Sequence, residues 1–212
     1  MLVKICGITR IQDALACAQS GVDMVGFVFA ASPRRLDAAK AQRIGSLLPA
    51  GIARVGVFRD QPLEDVLRTC AAAALDYVQL HGNESPAFCE RVREETGARI
   101  IKALAVRSRE DIAGARAYDD ESVSLILLDS PKNGMPLQQG ARRLWEILDT
   151  APTLAKPWLM AGGLSDRNVG EVVRLLAPAG VDVSSGVESS PGIKDISKVR
   201  RFISEAKSHT SR

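Results

Sequence analysis

The sequence predicts an α/β protein built as a single (β/α)8 TIM barrel, and three observations carry that expectation. Eight short apolar runs alternate with eight helical patterns along the 212 residues. The runs are rich in Val, Ile and Leu and do not alternate strictly with polar residues, as befits strands buried on both faces. Polar and glycine-rich residues collect just after many of the runs, where the loops of such a barrel build their sites. A doubly wound open sheet is the rival fold. Eight units in unbroken order favour closure.

The units follow one another in a regular way. Leu2–Cys6 precedes a segment at Asp13–Gln19 whose Ala and Leu residues recur at helical intervals. Met24–Phe29 is followed by Leu36–Leu48. Ala53–Phe58 leads to Leu63–Ala72, which begins after Pro62, a good first-turn residue. Tyr77–Leu80 leads to a segment opened by Ser85-Pro86, with Glu90 and Arg91 on its wet side. Ile100–Ala103 pairs with Ser108–Ala117, and Ser124–Leu128 with Ala141–Leu148. Trp158–Met160 then pairs with Asp166–Leu176, and Val181–Val183 with Asp195–Ala206. No low-complexity stretch or composition break marks a linker. The barrel is therefore expected to fill 1–207 as one domain, with 208–212 as a frayed tail.

Composition narrows the function classes. Aromatic residues are only 4% of the chain, so the core must rest on Val, Leu, Ile and Ala. The net charge is +3, with basic residues scattered among acidic ones. That distribution offers no nucleic-acid arm and suits a small anionic ligand without identifying it. The four cysteines (Cys6, Cys17, Cys70, Cys89) form no CxxC pair and only two histidines accompany them. No zinc site is expected. The opening MLVKICG is too short and polar for a signal peptide, and no apolar stretch is long enough to span a bilayer. Free thiols then point to a reducing, cytoplasmic location and no membrane partner. Monomer and homodimer are both compatible with the chain.

The chemistry should lie among the residues after the strands. Ala161-Gly162-Gly163-Leu164 and Ser184-Ser185-Gly186-Val187 follow the seventh and eighth runs. Glycines let backbone N–H groups approach an anion, and a following helix N-terminus adds positive potential. The loops after strands seven and eight are the usual phosphate site of this fold, although such glycines can also serve only as tight turns. Cys6 ends the first run and can face the mouth. Its thiolate would serve as base or nucleophile if nearby cations lower its pKa; the other reading is a buried structural thiol, as assigned to Cys17, Cys70 and Cys89. Asp129 ends the sixth run, where an acid can be shielded at the mouth, or can form a turn or cap a helix. Arg34, in Ser32-Pro33-Arg34-Arg35, can grip a carboxylate with two hydrogen bonds, but position alone favours a solvated surface charge. His81 can touch a ligand and more often orients a neighbour.

At this point the residues resemble a known family. Lys4-Ile5-Cys6-Gly7-Ile8-Thr9, Gly26-Phe27-Val28-Phe29 followed by Ser32-Pro33-Arg34, and Val78-Gln79-Leu80-His81-Gly82 are similar to motifs of the phosphoribosylanthranilate isomerases. So are Ala161-Gly162-Gly163-Leu164 and the long stretch from Gly180 to Gly192. The match runs from the first strand to the last helix. It implies an Amadori rearrangement in tryptophan biosynthesis, from N-(5-phosphoribosyl)anthranilate to 1-(2-carboxyphenylamino)-1-deoxyribulose 5-phosphate, with no metal or organic cofactor. It also implies roles. Asp129 protonates the ribose ring oxygen, and the Cys6 thiolate removes the C2′ proton. Arg34 holds the anthranilate carboxylate. Backbone groups around Gly162, Gly163 and Ser184, Ser185, Gly186 hold the phosphate. Asp182 contacts the ribose hydroxyls or positions the neighbouring loop.

One stretch departs from the family. Members usually carry Gly-Gly-Thr-Gly after the sixth-strand aspartate, leading to Phe-Asp-Trp. Here the chain reads Asp129-Ser130-Pro131-Lys132-Asn133-Gly134 and onward, and only Gly140 and Trp145 align. Lost glycines alter loop freedom and close approach to a ligand. Two alternatives follow from 130–144: a related barrel isomerase with another aminated ribose phosphate as substrate, or a phosphate-ligand-binding barrel without catalysis. Intact Cys6 and Asp129 weigh against the second.

Overall fold

The structure is a computed structural model that describes residues 1–130, 146–147 and 154–208. Eight parallel strands close into one barrel in chain order, each hydrogen-bonded to the next and β8 to β1. They are β1 (Leu2–Cys6), β2 (Met24–Val28), β3 (Ala53–Phe58), β4 (Tyr77–Leu80), β5 (Arg99–Ala105), β6 (Leu125–Asp129), β7 (Trp158–Ala161) and β8 (Gly180–Val183). All eight expected runs are strands. Val and Leu are their commonest residues, with Ile beside them, as suits strands of a parallel sheet covered by helices.

The described helices are α1 (Ile11–Gln19), α2 (Ala38–Gly45), α3 (Leu63–Ala73), α4 (Pro86–Thr96), α5 (Arg109–Gly114), α6 (Val169–Leu176) and α7 (Ile196–Ser208). Three differ from the sequence expectation for local reasons. α2 does not start at Leu36, because Leu36 N–H still bonds to the Val28 carbonyl and Asp37 caps the helix through Lys40 N–H. α5 is short, and its expected second half is a 3-10 turn at Ala115–Tyr118. α6 starts at Val169 rather than Asp166, because Ser165 and Asn168 close a turn on each other first. The expected helix at Ala141–Leu148 lies outside the described residues, apart from 146 and 147. So do 209–212 of the expected tail, whereas Ser208 belongs to α7.

The core has two layers. Val3, Ile5, Val25, Phe27, Val78, Ile100 and Ile126 point outward from the strands into the helix ring. Inside the barrel, Met24, Val55, Tyr77, Ile101, Leu125, Leu127 and Leu159 form an apolar plug supplied by β2 to β7. β1 and β8 break this pattern. Their inward positions carry Lys4 and Asp182, aligned in register and joined by an ion pair of 3.0 Å, with Lys4 1% exposed. Cys6, Val28 and Val57 cap the plug at the mouth. Among the described residues, no helix is long and apolar enough to cross a membrane.

Candidate active site

The mouth opens into a cavity of about 230 Å3. Its walls include Cys6, Arg34, Gln79, His81, Asp129, Gly162, Gly163, Asp182, Ser184, Ser185 and Gly186, so every site residue expected from the sequence meets at one place. The strands deliver them. A side chain at the carboxyl end of an inward-facing position in a parallel barrel emerges at the same rim.

Cys6 closes β1 beneath this rim. Its sulfur fits only because residue 26 is glycine: a Cβ there would stand 2.8 Å from Sγ. Burial pushes the thiol above its ordinary value, while Lys4 and Lys194 pull it the other way and fall short. The condition set from the sequence, that nearby cations lower the Cys6 pKa, is not met. The cations are present, but desolvation of the thiolate outweighs them. Lys4 itself is raised. Burial works against its charge, but Asp182 and Cys6 more than offset that. Cys17, Cys70 and Cys89 are buried within helices, as expected, and burial raises Cys17 to about 12 and Cys89 to about 11.

Asp129 closes β6, separated from Cys6 round the ring by β7 and β8. Its side chain is 34% exposed, so it is less shielded than expected. His81 Nε2 lies 3.3 Å from Asp129 Oδ2, and Gln79 Nε2 lies 3.1 Å from His81 Nδ1. With the amide donating to Nδ1, the Nε2–H faces the carboxylate. His81 thus stands against Asp129 on the cavity wall. The Gly82 loop beside it is fixed from below. Lys102 donates to the Leu80 and Gly82 carbonyls and pairs with Glu84 at 2.8 Å, deep in the protein.

The two glycine-rich turns pack against each other. Gly162 and Gly163 have φ of 85° and 68°, a left-handed backbone that a side chain resists. A Cβ on Gly162 would also collide with the Ser130 carbonyl and approach Asp129 Oδ1 to 2.5 Å. A Cβ on Gly186 would collide with the Leu164 carbonyl. Ser184 Oγ is buried beside them with no hydrogen-bond partner among the described residues. An unmet hydroxyl in a cup of backbone turns asks for a polar ligand. The helical potential is weaker here than expected: a single 3-10 turn (Ser185–Val187) follows β8, and α6 begins several residues after Gly163.

Arg34 is not the solvated charge that position alone favoured. Ser32 Oγ accepts from its backbone N–H, and its side chain gives Nε and Nη2 to Glu188 at 2.8 and 2.6 Å. Glu188 and Lys194 were assigned no role from sequence. They sit on a small hairpin, β9 (Glu188–Ser190) and β10 (Ile193–Lys194), 2.8 Å apart as a pair. Lys194 Nζ also donates to the carbonyls of Cys6 and Ser184. No local signal in the chain announces this contact. Lys4, by contrast, was visible as a lone charge within an apolar strand. Among the described residues no group of three or more His, Cys, Asp and Glu is placed to hold a metal ion.

A closed eightfold barrel with ionisable groups and glycine-rich turns at one rim is the architecture of a (β/α)8-barrel enzyme. The sequence pattern of the N-(5'phosphoribosyl)anthranilate (PRA) isomerase family matches residues 3–205. The chain belongs to that family, and so to the isomerases of aldose–ketose type. It is 46% identical over 206 residues to the N-(5'-phosphoribosyl)anthranilate isomerase of Geobacter sp. strain M21, covering 97% of each chain. The crystal structure of phosphoribosyl anthranilate isomerase from Thermotoga maritima superposes with a TM-score of 0.86 at 36% identity, covering 98% of this chain and 99% of that one. A phosphoribosyl anthranilate isomerase in complex with reduced 1-(o-carboxyphenylamino)-1-deoxyribulose 5-phosphate superposes at 0.83, with the same identity and coverage.

Proposed function

We propose that this protein rearranges N-(5-phosphoribosyl)anthranilate to 1-(2-carboxyphenylamino)-1-deoxyribulose 5-phosphate, with Asp129 as general acid and Cys6 as general base. The observation that carries this is the meeting of both residues with the glycine cup in one cavity. Asp129 donates its proton to the ribose ring oxygen as the ring C–O bond breaks, leaving an open-chain iminium ion. The Cys6 thiolate then takes the C2′ proton, and the electron pair moves to give an enolamine. Tautomerisation yields the ketone. His81 holds the Asp129 carboxyl toward the ring oxygen. Gly162, Gly163, Ser185 and Gly186 offer N–H groups to the phosphate, and the Ser184 hydroxyl completes the cup. Arg34 meets the anthranilate carboxylate, and Asp182 lies close enough to the cavity to meet a ribose hydroxyl. The substrate is a small anion and no cofactor is assigned. Four unpaired thiols support a reducing, cytoplasmic setting.

The test is loss of anthranilate fluorescence when purified protein meets freshly made phosphoribosylanthranilate. Turnover by the wild type is expected, with kcat of Cys6→Ser and Asp129→Asn each reduced by about 10²–10⁴-fold. A folded wild type without turnover would overturn the assignment and return attention to residues 130–144.

A further inference from the structure

Arg34 can serve a substrate carboxylate only if its guanidinium is aimed. A guanidinium carries five N–H donors in a rigid plane, arranged as two usable forks. One fork, Nε with Nη2, is fully taken by Glu188. The other, Nη1 with the second hydrogen of Nη2, has no partner among the described residues. The side chain is 20% exposed on the cavity wall. Its stem lies flat across Gly7, where a Cβ would approach Arg34 Cδ to 2.6 Å.

Glu188 is itself fixed on every side. Its side chain is 4% exposed. Oε1 accepts from Lys194 Nζ at 2.8 Å and from Gly192 N–H at 3.3 Å, and its carbonyl accepts from Lys198 Nζ at 3.1 Å. Gly192 is tied to the loop after β1 through Thr9 Oγ1, which donates to the Gly192 carbonyl at 2.6 Å. A carboxylate held this firmly is a fixed reference for whatever it grips.

We propose that Glu188 is a positioning residue for substrate selection: by occupying one fork of Arg34 it aims the free fork across the cavity at a ligand carboxylate. This rests on the reading of Arg34 given above. The geometry has a second consequence. The Glu188 carboxylate neutralises one of the two cations it grips, so the Arg34–Glu188–Lys194 group carries one net positive charge to offer an anion. Without Glu188, Arg34 would keep its charge and lose its direction, and charge without direction does not read the planar two-oxygen shape of a carboxylate.

The test is a comparison of binding. The probes are the reduced product analogue, 1-(o-carboxyphenylamino)-1-deoxyribulose 5-phosphate in reduced form, and its phenylamino counterpart lacking the carboxylate. The wild type should prefer the carboxylated probe by about thirtyfold or more, and Glu188→Gln should cut that preference by about tenfold while the Kd of the phenylamino probe moves less than about threefold. Arg34→Met should abolish the preference, and adding Glu188→Gln to it should change nothing further, because Glu188 acts through Arg34. A folded Glu188→Gln that keeps the full preference, or that weakens both probes equally, overturns the proposal and leaves Arg34 as the carboxylate site. A wild type without preference overturns the Arg34 reading and this proposal with it. If Glu188→Gln does not fold, Glu188→Asp decides. It keeps the charge but draws the carboxylate back, and a cut of about threefold is expected. An unchanged preference in that variant overturns the proposal.

Discussion

The two sides of the mouth are built on opposite principles. On the side of β1 and β8, Cys6 sits among charges: buried Lys4 with Asp182 below it, and half-buried Arg34 with buried Glu188 and Lys194 beside it. On the side of β6, Asp129 is a third exposed and its described side-chain partner is His81 at 3.3 Å. The proposed base is governed first by burial, which raises its thiol, while the Lys4 and Lys194 charges pull against it. The proposed acid keeps contact with water and is governed mainly by orientation. One barrel thus places the two proposed proton-transfer groups in different dielectric surroundings.

The difference can be broken experimentally, most severely at Lys4. Lys4→Met leaves Asp182 buried without its partner and should destabilise the protein by about 3–5 kcal/mol in urea unfolding. His81→Asn, on the exposed side, should change stability by about 0.5 kcal/mol or less. Similar losses in the two variants would end the comparison. Gly162→Ala should come next. Its left-handed backbone and its collision with Ser130 should displace both the proposed phosphate cup and Asp129, and kcat/KM should fall by about 10²-fold at the cost of about 1–3 kcal/mol of strain. His81→Asn should lower kcat by about tenfold with little change in KM, since only the aim of the acid is lost.

The pH dependence sharpens the contrast. The Cys6 thiol is raised above 9.0 by burial, so the thiolate fraction grows with pH throughout the neutral range. Both kcat/KM and the rate of iodoacetamide alkylation should climb from about pH 6 toward 10. A plateau near neutrality would show that the neighbouring cations win after all. Glu188 gives the smallest effect. Burial alone would raise its carboxyl, but Arg34 and Lys194 hold it at about 2, below its ordinary 4.5. A depressed folded-state pKa adds stability that is full above 4.5 and is lost as pH falls toward 2. The melting temperature of the wild type should therefore drop more steeply over that window than that of Glu188→Gln.

The barrel was legible in the sequence because each strand is a run of Val, Ile and Leu that has no stable place outside a covered sheet. Cys6, Asp129 and the two glycine turns were legible for a related reason: each ends a strand, and strand ends share one rim. Helix starts were harder, as at Leu36 and Asp166, because a bridge to Val28 and a Ser165–Asn168 turn compete with the helix there. The partner of Arg34 was out of reach, since Glu188 lies 154 residues away. The direction of the Cys6 shift was also out of reach. It depends on a balance between desolvation and charges that only a packed structure sets.

The closure of the ring by β1 and β8 bears on how the chain is made. Cys6 lies 188 residues before Lys194, whose ammonium sits on its carbonyl, and β8 and the Glu188 carboxylate follow it at a comparable distance along the chain. Contacts of such span are the slowest to form. A nascent chain that ends before Gly180 would carry both proposed proton-transfer residues and still lack the wall that surrounds the thiol. Competence should therefore appear late and all at once during synthesis, rather than growing as successive units emerge.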